Sequence, residues 1–592
     1  MKENLLVIDA DYTLVENRGM VRLFCKNEKG ETILVQDSNF EPYFYAMPKE
    51  GKIYELKKKI EELDTKNIET EILKVEIVEK NWQGERTKLI KITIDNPRRI
   101  PDVRDLIKDW EEVEETYEYA ISFYRRYLID KQIEPMNWIE VEGEEVKADE
   151  YEVDKIINAT SVKPIKLEKE VNFKILAFDT EWVEENGKSK LIMLSVASND
   201  GFKKVLTHHE LKMSQVEAVK DEKELIERFL EIVREKDPDF LCSYNGDQFD
   251  IPKLKDRASE LKISLKLGRD NSPVHVVRRG RISSARTKGR VHIDLFDFID
   301  HILSASMRSE VLTLDEVAQE LLGVGKKEMK YKEMVEIWSK KEQMERLAEY
   351  SLFDSELTLK LSELILPQIF ALSKLVGNLP FDSCRNTYSQ LVEAFLMRRA
   401  FVDNILIPNQ PKQEEIERRR LQPAYKGAIV IEPTRGLHEN ILVFDFRSMY
   451  PSIIVTHNIS PETFNCEHRE CKEKNKVPGT KYHFCIKTKG FIPKQVENLI
   501  EKRKKIKEQM KKLEKDSEEY KRLDNFSFAI KTISNASYGY TNYFGARWYC
   551  RECSQSAAAW GRFYISKVIE MAKKEKFKVI YSDTDSCFAT IS

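Results

Sequence analysis

Three apolar runs in this chain end in carboxylates, and that pattern limits the folds open to it. "FKILAFDTEW" carries Ile175, Leu176, Ala177 and Phe178 into Asp179 and Glu181. "NILVFDFRSMYPSII" carries Ile441 to Phe444 into Asp445, and "VIYSDTDSCFATIS" carries Val579, Ile580 and Tyr581 into Asp583 and Asp585. Unbroken apolar runs of this length read as buried strands, so sheets combined with helices are expected. Residues two apart on a strand point to one face, which brings the Asp179 and Glu181 carboxylates together. Paired acids repel unless a cation lies between them, and a hard divalent ion such as magnesium is the natural occupant.

A chain of 592 residues exceeds one cooperative core, so three or four domains are expected. Its 98 basic and 101 acidic residues leave a net charge of only -3. Any site for a polyanion must therefore come from local clustering. Nine scattered cysteines do not make a disulfide scaffold. The N-terminal "MKENLLVIDADYTLVENRG" is no targeting signal, and no run approaches membrane-spanning length. A cytoplasmic protein with no membrane partner is expected.

Two further stretches extend the acidic set. "CSYNGDQFD" places Asp250 after Asn245 and Phe249. "EYSLFD" sets Tyr350 and Asp354 four apart, on one face of the helix that "MERLAEYSLFDSELTLKLSELI" predicts. The most basic stretch, "LIEKRKKIKEQMKKLEKDSEEYKRLDNFSFAIKTISNASYGY", reads as a helical hairpin with Leu499, Ile506, Met510 and Leu513 on one face. Its second helix is expected to begin with Asp516 and Glu519 as a capping box. Arg503 and Lys507 share a face, as do Lys531, Asn535 and Tyr538, and such cations suit a triphosphate.

Together these residues resemble family B DNA polymerases, most closely the archaeal members. The DxE, NxxxFD and YxxxD patterns match the family's exonuclease motifs. The resemblance implies an RNase H-like 3′–5′ exonuclease in which Asp179, Glu181, Asp250 and Asp354 hold two divalent ions and Tyr350 orients the attacking water. Two metals about 4 Å apart can activate a water and stabilise the leaving oxygen.

"NILVFDFRSMYPSII" resembles motif A, implying metal ligation at Asp445 and Phe446 and a steric gate at Tyr450 against a 2′-hydroxyl. "KTISNASYG" resembles motif B (KxxxNSxYG), with Ala536 in place of serine, and implies nucleotide contacts from Arg503, Lys507, Lys531, Asn535 and Tyr538. "YSDTDS" resembles motif C (YGDTDS), with Ser582 in place of glycine. It implies that Asp585 joins Asp445 in holding two magnesium ions, for which manganese substitutes, with Asp583 as an auxiliary ligand.

The implied architecture is multidomain, α/β and α+β. It runs as an N-terminal domain (1–130), the exonuclease (131–365), a return to the N-terminal domain or linker (366–409), a first palm segment (410–490), fingers (491–541) and a second, incomplete palm segment (542–592). The acid-rich "EVEGEEVKADEYEVDK" reads as a linker or surface excursion. Either the sequence is cut short of the rest of the palm and the thumb, or a small second subunit supplies them; the second subunit is expected, since the hairpin ending in "CFATI" would otherwise leave an apolar sheet edge bare. Primer–template DNA, dNTPs, that subunit and a sliding clamp are the implied partners. A stand-alone 3′–5′ nuclease with a vestigial polymerase half and a uracil-sensing DNA-binding protein are the alternatives.

Resemblance to archaeal relatives also implies a template-uracil pocket at Tyr12, Pro42, Ile100 and Phe123, with isoleucine where valine is expected. "LQPAYKGAIV" resembles a YxGG motif with Ala428 in place of its second glycine. Cys471 with Cys485, and Cys550 with Cys553, match positions that are disulfide-bonded in some thermophilic relatives, although a reducing cytosol argues against bridges. Cys466, His468, Cys471, His483 and Cys485 offer zinc ligands at a spacing that fits no standard finger.

Overall fold

A computed structural model describes residues 1–147, 150–185, 187–279, 282–325 and 329–591. The chain forms two compact units that alternate along the sequence, Met1–Glu41 with Ser122–Thr387, and Pro42–Ile121 with Tyr388–Ser592. The expected 1–130 domain is therefore divided between them. Its first three strands, Lys2–Val15, Arg18–Lys26 and Thr32–Asp37, close a barrel with Trp138–Val146 and Lys155–Pro164.

This corrects both the boundary at residue 130 and the linker reading of "EVEGEEVKADEYEVDK". Ile139 and Val141 are buried while Glu140 and Glu142 lean outward, an alternation of period two hidden beneath the acidic composition. Gly143 sits at a bulge, where a Cβ would stand 2.2 Å from the Asn158 carbonyl oxygen. Lys155–Pro164 runs parallel to Thr32–Asp37, a long-range pairing that no local pattern announces.

The first unit also holds a six-stranded sheet in the order Val216–Ala218, Lys203–Thr207, Lys188–Ser198, Ile175–Glu185, Phe240–Ser243, Val291–Asp294. The Ile175–Glu185 strand pairs antiparallel with Lys188–Ser198 and parallel with Phe240–Ser243. Leu176, Phe178, Leu194, Phe229 and Leu241 share one apolar cluster, and Val183, Met193, Leu347 and Leu352 another. The helix Met344–Val376 lies against Ile175–Glu185 and runs without a break through the expected boundary at residue 365.

The second unit contains two four-stranded sheets. One is built within residues 42–121, with Asn81 bonded to Asn404 and Leu406. The other orders Val430–Ile431, Phe577–Asp583, Ser586–Ile591 and Ile441–Asp445. The helical hairpin consists of Phe491–Met510 and Glu518–Tyr540. Its second helix is capped by Ser517, whose hydroxyl accepts from the Tyr520 amide at 3.3 Å, and not by Asp516. Extended backbone at Ser517 puts that shorter side chain in reach. No helix among the described residues is long and apolar enough to cross a membrane.

Candidate active sites

In the first unit, ligand oxygens of Asp179, Glu181 and Asp354 lie within 4.8 Å of one another. Asp179 and Glu181 face Ser195 and Met193 across the strand pair, and a bulge follows at Glu181/Trp182, where the strand turns. Asp354 comes from the long helix one turn after Tyr350. Burial first, then the Asp354, Glu181 and Asp179 carboxylates, raise the Tyr350 hydroxyl pKa well above its ordinary value. Tyr350 is thus held as a neutral phenol beside the acids.

Asp250, the fourth expected ligand, is outside that cluster. It opens the helix Asp250–Glu260 and accepts a short hydrogen bond from the Thr180 hydroxyl, which in turn accepts from Trp182 Nε1 at 2.8 Å. Burial pushes Asp250 up to about 6, against the opposing pull of that bond. Lys253, one turn later, lies over the exposed Phe249 ring at 4.2 Å. Lys253 went unread in the sequence, although its i+3 spacing from Asp250 was a signal.

A buried network shapes the loop before Asp250. Asp294 accepts the Asn245 and Asp247 amides at 2.8 Å each. Asp247 accepts from Arg385 Nε at 2.6 Å and from the Ala285 amide at 2.7 Å. Asp297 completes a triad of acids within 4.8 Å. Burial, reinforced by the Asp247 charge, pushes Asp294 up to about 7; burial and Asp247 do the same to Asp297 against the Arg385 guanidinium.

In the second unit, Asp445 stands opposite Ser586 in register, and the Phe446 amide donates to the Asp585 carbonyl at 3.0 Å. Asp583 and Asp585 flank Thr584, which has a left-handed φ of 52° at the hairpin turn. Burial and then the Asp445 and Asp583 charges raise the Asp585 pKa. Asp583 accepts from the Thr584 hydroxyl at 2.9 Å. These three carboxylates are not among the groups whose ligand atoms all meet within 4.8 Å. Ser582, where the family pattern has glycine, is accommodated because its hydroxyl donates to the Ser586 carbonyl at 2.8 Å.

Tyr450 stacks on Tyr538 at 3.9 Å, and the Tyr538 hydroxyl lies 3.4 Å from that of Tyr425. Arg562, which no sequence motif marked, donates to the carbonyls of Lys426 and Gly427, the latter at 2.7 Å. It therefore holds the "AYKGA" segment that Tyr425 belongs to. Arg503 and Lys507 lie on the first hairpin helix, and Lys507 pairs with Asp524 at 3.1 Å. Arg503 Nε has no hydrogen-bond partner among the described residues. Lys531 and Asn535 are exposed on the second helix.

The four expected uracil-pocket residues are divided between units. Tyr12 and Phe123 meet edge to face at 5.4 Å in the first. Pro42 and Ile100 belong to the second, where Ile100 is buried in a cluster with Phe44 and Val103.

Comparison with known proteins accords with this geometry. The description "DNA polymerase family B" fits residues 383–592, and "DNA polymerase family B, exonuclease domain" fits residues 114–317. The DNA polymerase of Pyrococcus glycovorans is 39% identical over 592 residues, covering 99% of this chain and 71% of that protein. DNA polymerase 1 of Pyrococcus abyssi is 40% identical over 591 residues, with the same shares covered. The solved structure of the family B DNA polymerase from the hyperthermophilic archaeon Pyrobaculum calidifontis superposes with a TM-score of 0.85 at 30% identity, covering 100% of this chain and 75% of that one.

Proposed function

The chain belongs to the family B DNA polymerases, and from that premise we propose that it extends primers at Asp445 and Asp585 as the large subunit of a two-polypeptide enzyme. Its enzyme class is that of the family, a DNA-directed DNA polymerase with 3′–5′ exonuclease activity. Mispaired 3′ ends are removed at Asp179, Glu181, Asp250 and Asp354. The observation that carries the polymerase reading is the register of the sheet: the Ile441–Asp445 strand and the Asp583–Asp585 hairpin deliver their acids to one end of the sheet, beside the Tyr450–Tyr538 stack.

The nuclease acids converge as an all-oxygen donor set, and Asp445, Asp583 and Asp585 offer carboxylate oxygens alone; both fit magnesium, with manganese as a substitute. Bound divalent ions would lower the pKa of the attacking hydroxyl or water and neutralise charge on the leaving oxygen. Asp445, Asp585 and the Phe446 carbonyl would hold them in the polymerase site, with Asp583 as an auxiliary ligand. Tyr450 blocks the position of a 2′-hydroxyl, while Arg503, Lys507, Lys531 and Asn535 bind the triphosphate. Lys507 must exchange its exposed pair with Asp524 for phosphate, a small cost because such surface pairs are worth ~1 kcal/mol or less. In the nuclease, Tyr350 orients the attacking water.

The two-polypeptide reading is supported by the apolar side chains left exposed on both faces of the Ile441–Asp445 edge strand. Ile441, Leu442, Val443 and Phe444 are 44, 39, 55 and 42% exposed. Burying such side chains fully is worth about 1.5–3 kcal/mol each, so a covering polypeptide gains several kcal/mol here. The test is primer extension with magnesium and dNTPs, by this chain alone and with the small subunit, beside Asp585→Ala. Extension strengthened by the subunit and abolished by Asp585→Ala is expected. Degradation without extension in both mixtures would overturn the reading.

A further inference from the structure

Four side chains outside both acidic sites converge. Cys466 Sγ, a ring nitrogen of His468, Cys471 Sγ and Cys485 Sγ all lie within 4.8 Å of one another. They sit at the base of an excursion over residues 464–485, where the chain enters and leaves it beside the antiparallel bridge Phe464↔Phe484; a second bridge, Lys476↔His483, lies further along. Cys466 and His468 precede the short helix Arg469–Lys474, Cys471 lies within it, and Cys485 follows the return. With zinc–sulfur bonds of about 2.3 Å, tetrahedral ligand atoms stand about 3.8 Å apart, so closing the set onto a metal takes a movement of about 1 Å or less.

We propose that Cys466, His468, Cys471 and Cys485 bind one zinc ion as a closed structural site in this excursion. Three thiolates and an imidazole select zinc over the hard ions that suit the carboxylate clusters. Four protein ligands leave no open position for catalysis. Supporting donors are already aimed at the sulfurs: the Ile486 amide at Cys471 Sγ (3.4 Å) and the Thr488 hydroxyl at Cys485 Sγ (3.5 Å). Such outer contacts orient metal ligands and stabilise their charge. His483, the fifth candidate by sequence, is no ligand. Its Nε2 lies 2.7 Å from the Cys466 carbonyl and so holds the backbone of the first ligand.

The excursion has little else to fold around. Its fully buried apolar residues are Cys471, Val477, Phe484 and Cys485, and two of these are the ligands themselves. A metal supplies the folding energy that so small a core lacks. It also acts on the fingers, because Asn458 donates to the Cys485 and Thr488 carbonyls at 2.8 and 2.7 Å and accepts from the Gly490 amide at 2.8 Å. Gly490 immediately precedes the helix Phe491–Met510.

The test is metal analysis of the full chain purified in reductant without chelators, followed by replacement with cobalt chloride. One zinc per chain is expected, with intense tetrahedral cobalt bands and sulfur-to-cobalt charge transfer. His468→Cys should keep the metal and strengthen the charge-transfer bands, whereas Cys471→Ser should lose it. The wild-type cobalt spectrum decides even where a variant does not fold. No stoichiometric zinc after reconstitution with zinc chloride, a cobalt spectrum without charge transfer, or a Cys471–Cys485 disulfide in thiol titration would each overturn the proposal.

Discussion

The rings of Tyr450 and Tyr538 lie 3.9 Å apart and within 3° of parallel. A Cβ on Gly561 would stand 3.3 Å from Tyr450 Cε1, so the backbone there also packs closely against the ring. The steric gate proposed at Tyr450 discriminates only as well as it is held in place. Tyr538→Ala removes a stack worth ~0.5–1.5 kcal/mol and should relax selection against ribonucleotides roughly 2–12-fold. Single-nucleotide kcat/KM values for dATP and ATP check this, and Tyr450→Ala should give a larger change than Tyr538→Ala.

Asp294 and Asp297 are both pushed up to about 7 in the folded protein, from an ordinary 3.8. A folded pKa above the unfolded one means that the native state holds more protons. This contribution to stability is complete below pH 4 and is lost as pH rises through 7. Asp297→Asn keeps a donor for Asp247 without the ionisable group. Its melting temperature should match wild type near pH 4 and exceed it at pH 8, by up to about 4 kcal/mol of stability. Parallel melting profiles across that range would contradict the assignment.

Thr180 donates to Asp250 and accepts from Trp182. Thr180→Val removes a contact that orients the carboxylate proposed as a metal ligand; loss of such a contact typically costs 10–100-fold in activity, so nuclease activity should fall by roughly that factor. Asp250 already stands near 6 with the bond in place. Without it the pKa rises, so the acid limb of the nuclease pH profile at limiting magnesium should move to higher pH. Primer extension by the same variant is the control.

Val443 is the most exposed of the four apolar residues on its strand. Val443→Asp leaves a side chain in water in the isolated chain and should change stability by about 0.5 kcal/mol or less. It should abolish stimulation of primer extension by the proposed small subunit. Titration of that subunit against both proteins measures the effect.

Much of each site was legible because its carriers are local. The apolar run from Ile175 to Phe178 and the four-residue spacing of Tyr350 and Asp354 predict a strand and a helix face, and the structure has both. What escaped reading depends on pairings distant in sequence. Arg385 meets Asp247 from 138 residues away, and nothing local to either marks the contact. Thr32–Asp37 pairs with Lys155–Pro164 across an acidic composition that concealed a strand. Asp250 carries the expected motif, but its Thr180 bond depends on which face of the neighbouring strand approaches it.

The central claim, two independent phosphoryl-transfer sites in one chain, is tested most directly by separating them. Asp354→Asn and Asp445→Asn would be assayed for 3′-end removal without dNTPs and for primer extension with dNTPs, alone and with the proposed small subunit. The account predicts that Asp354→Asn loses removal and keeps extension, while Asp445→Asn loses extension and keeps removal. Loss of both activities in either variant, in protein that melts like wild type, would contradict it.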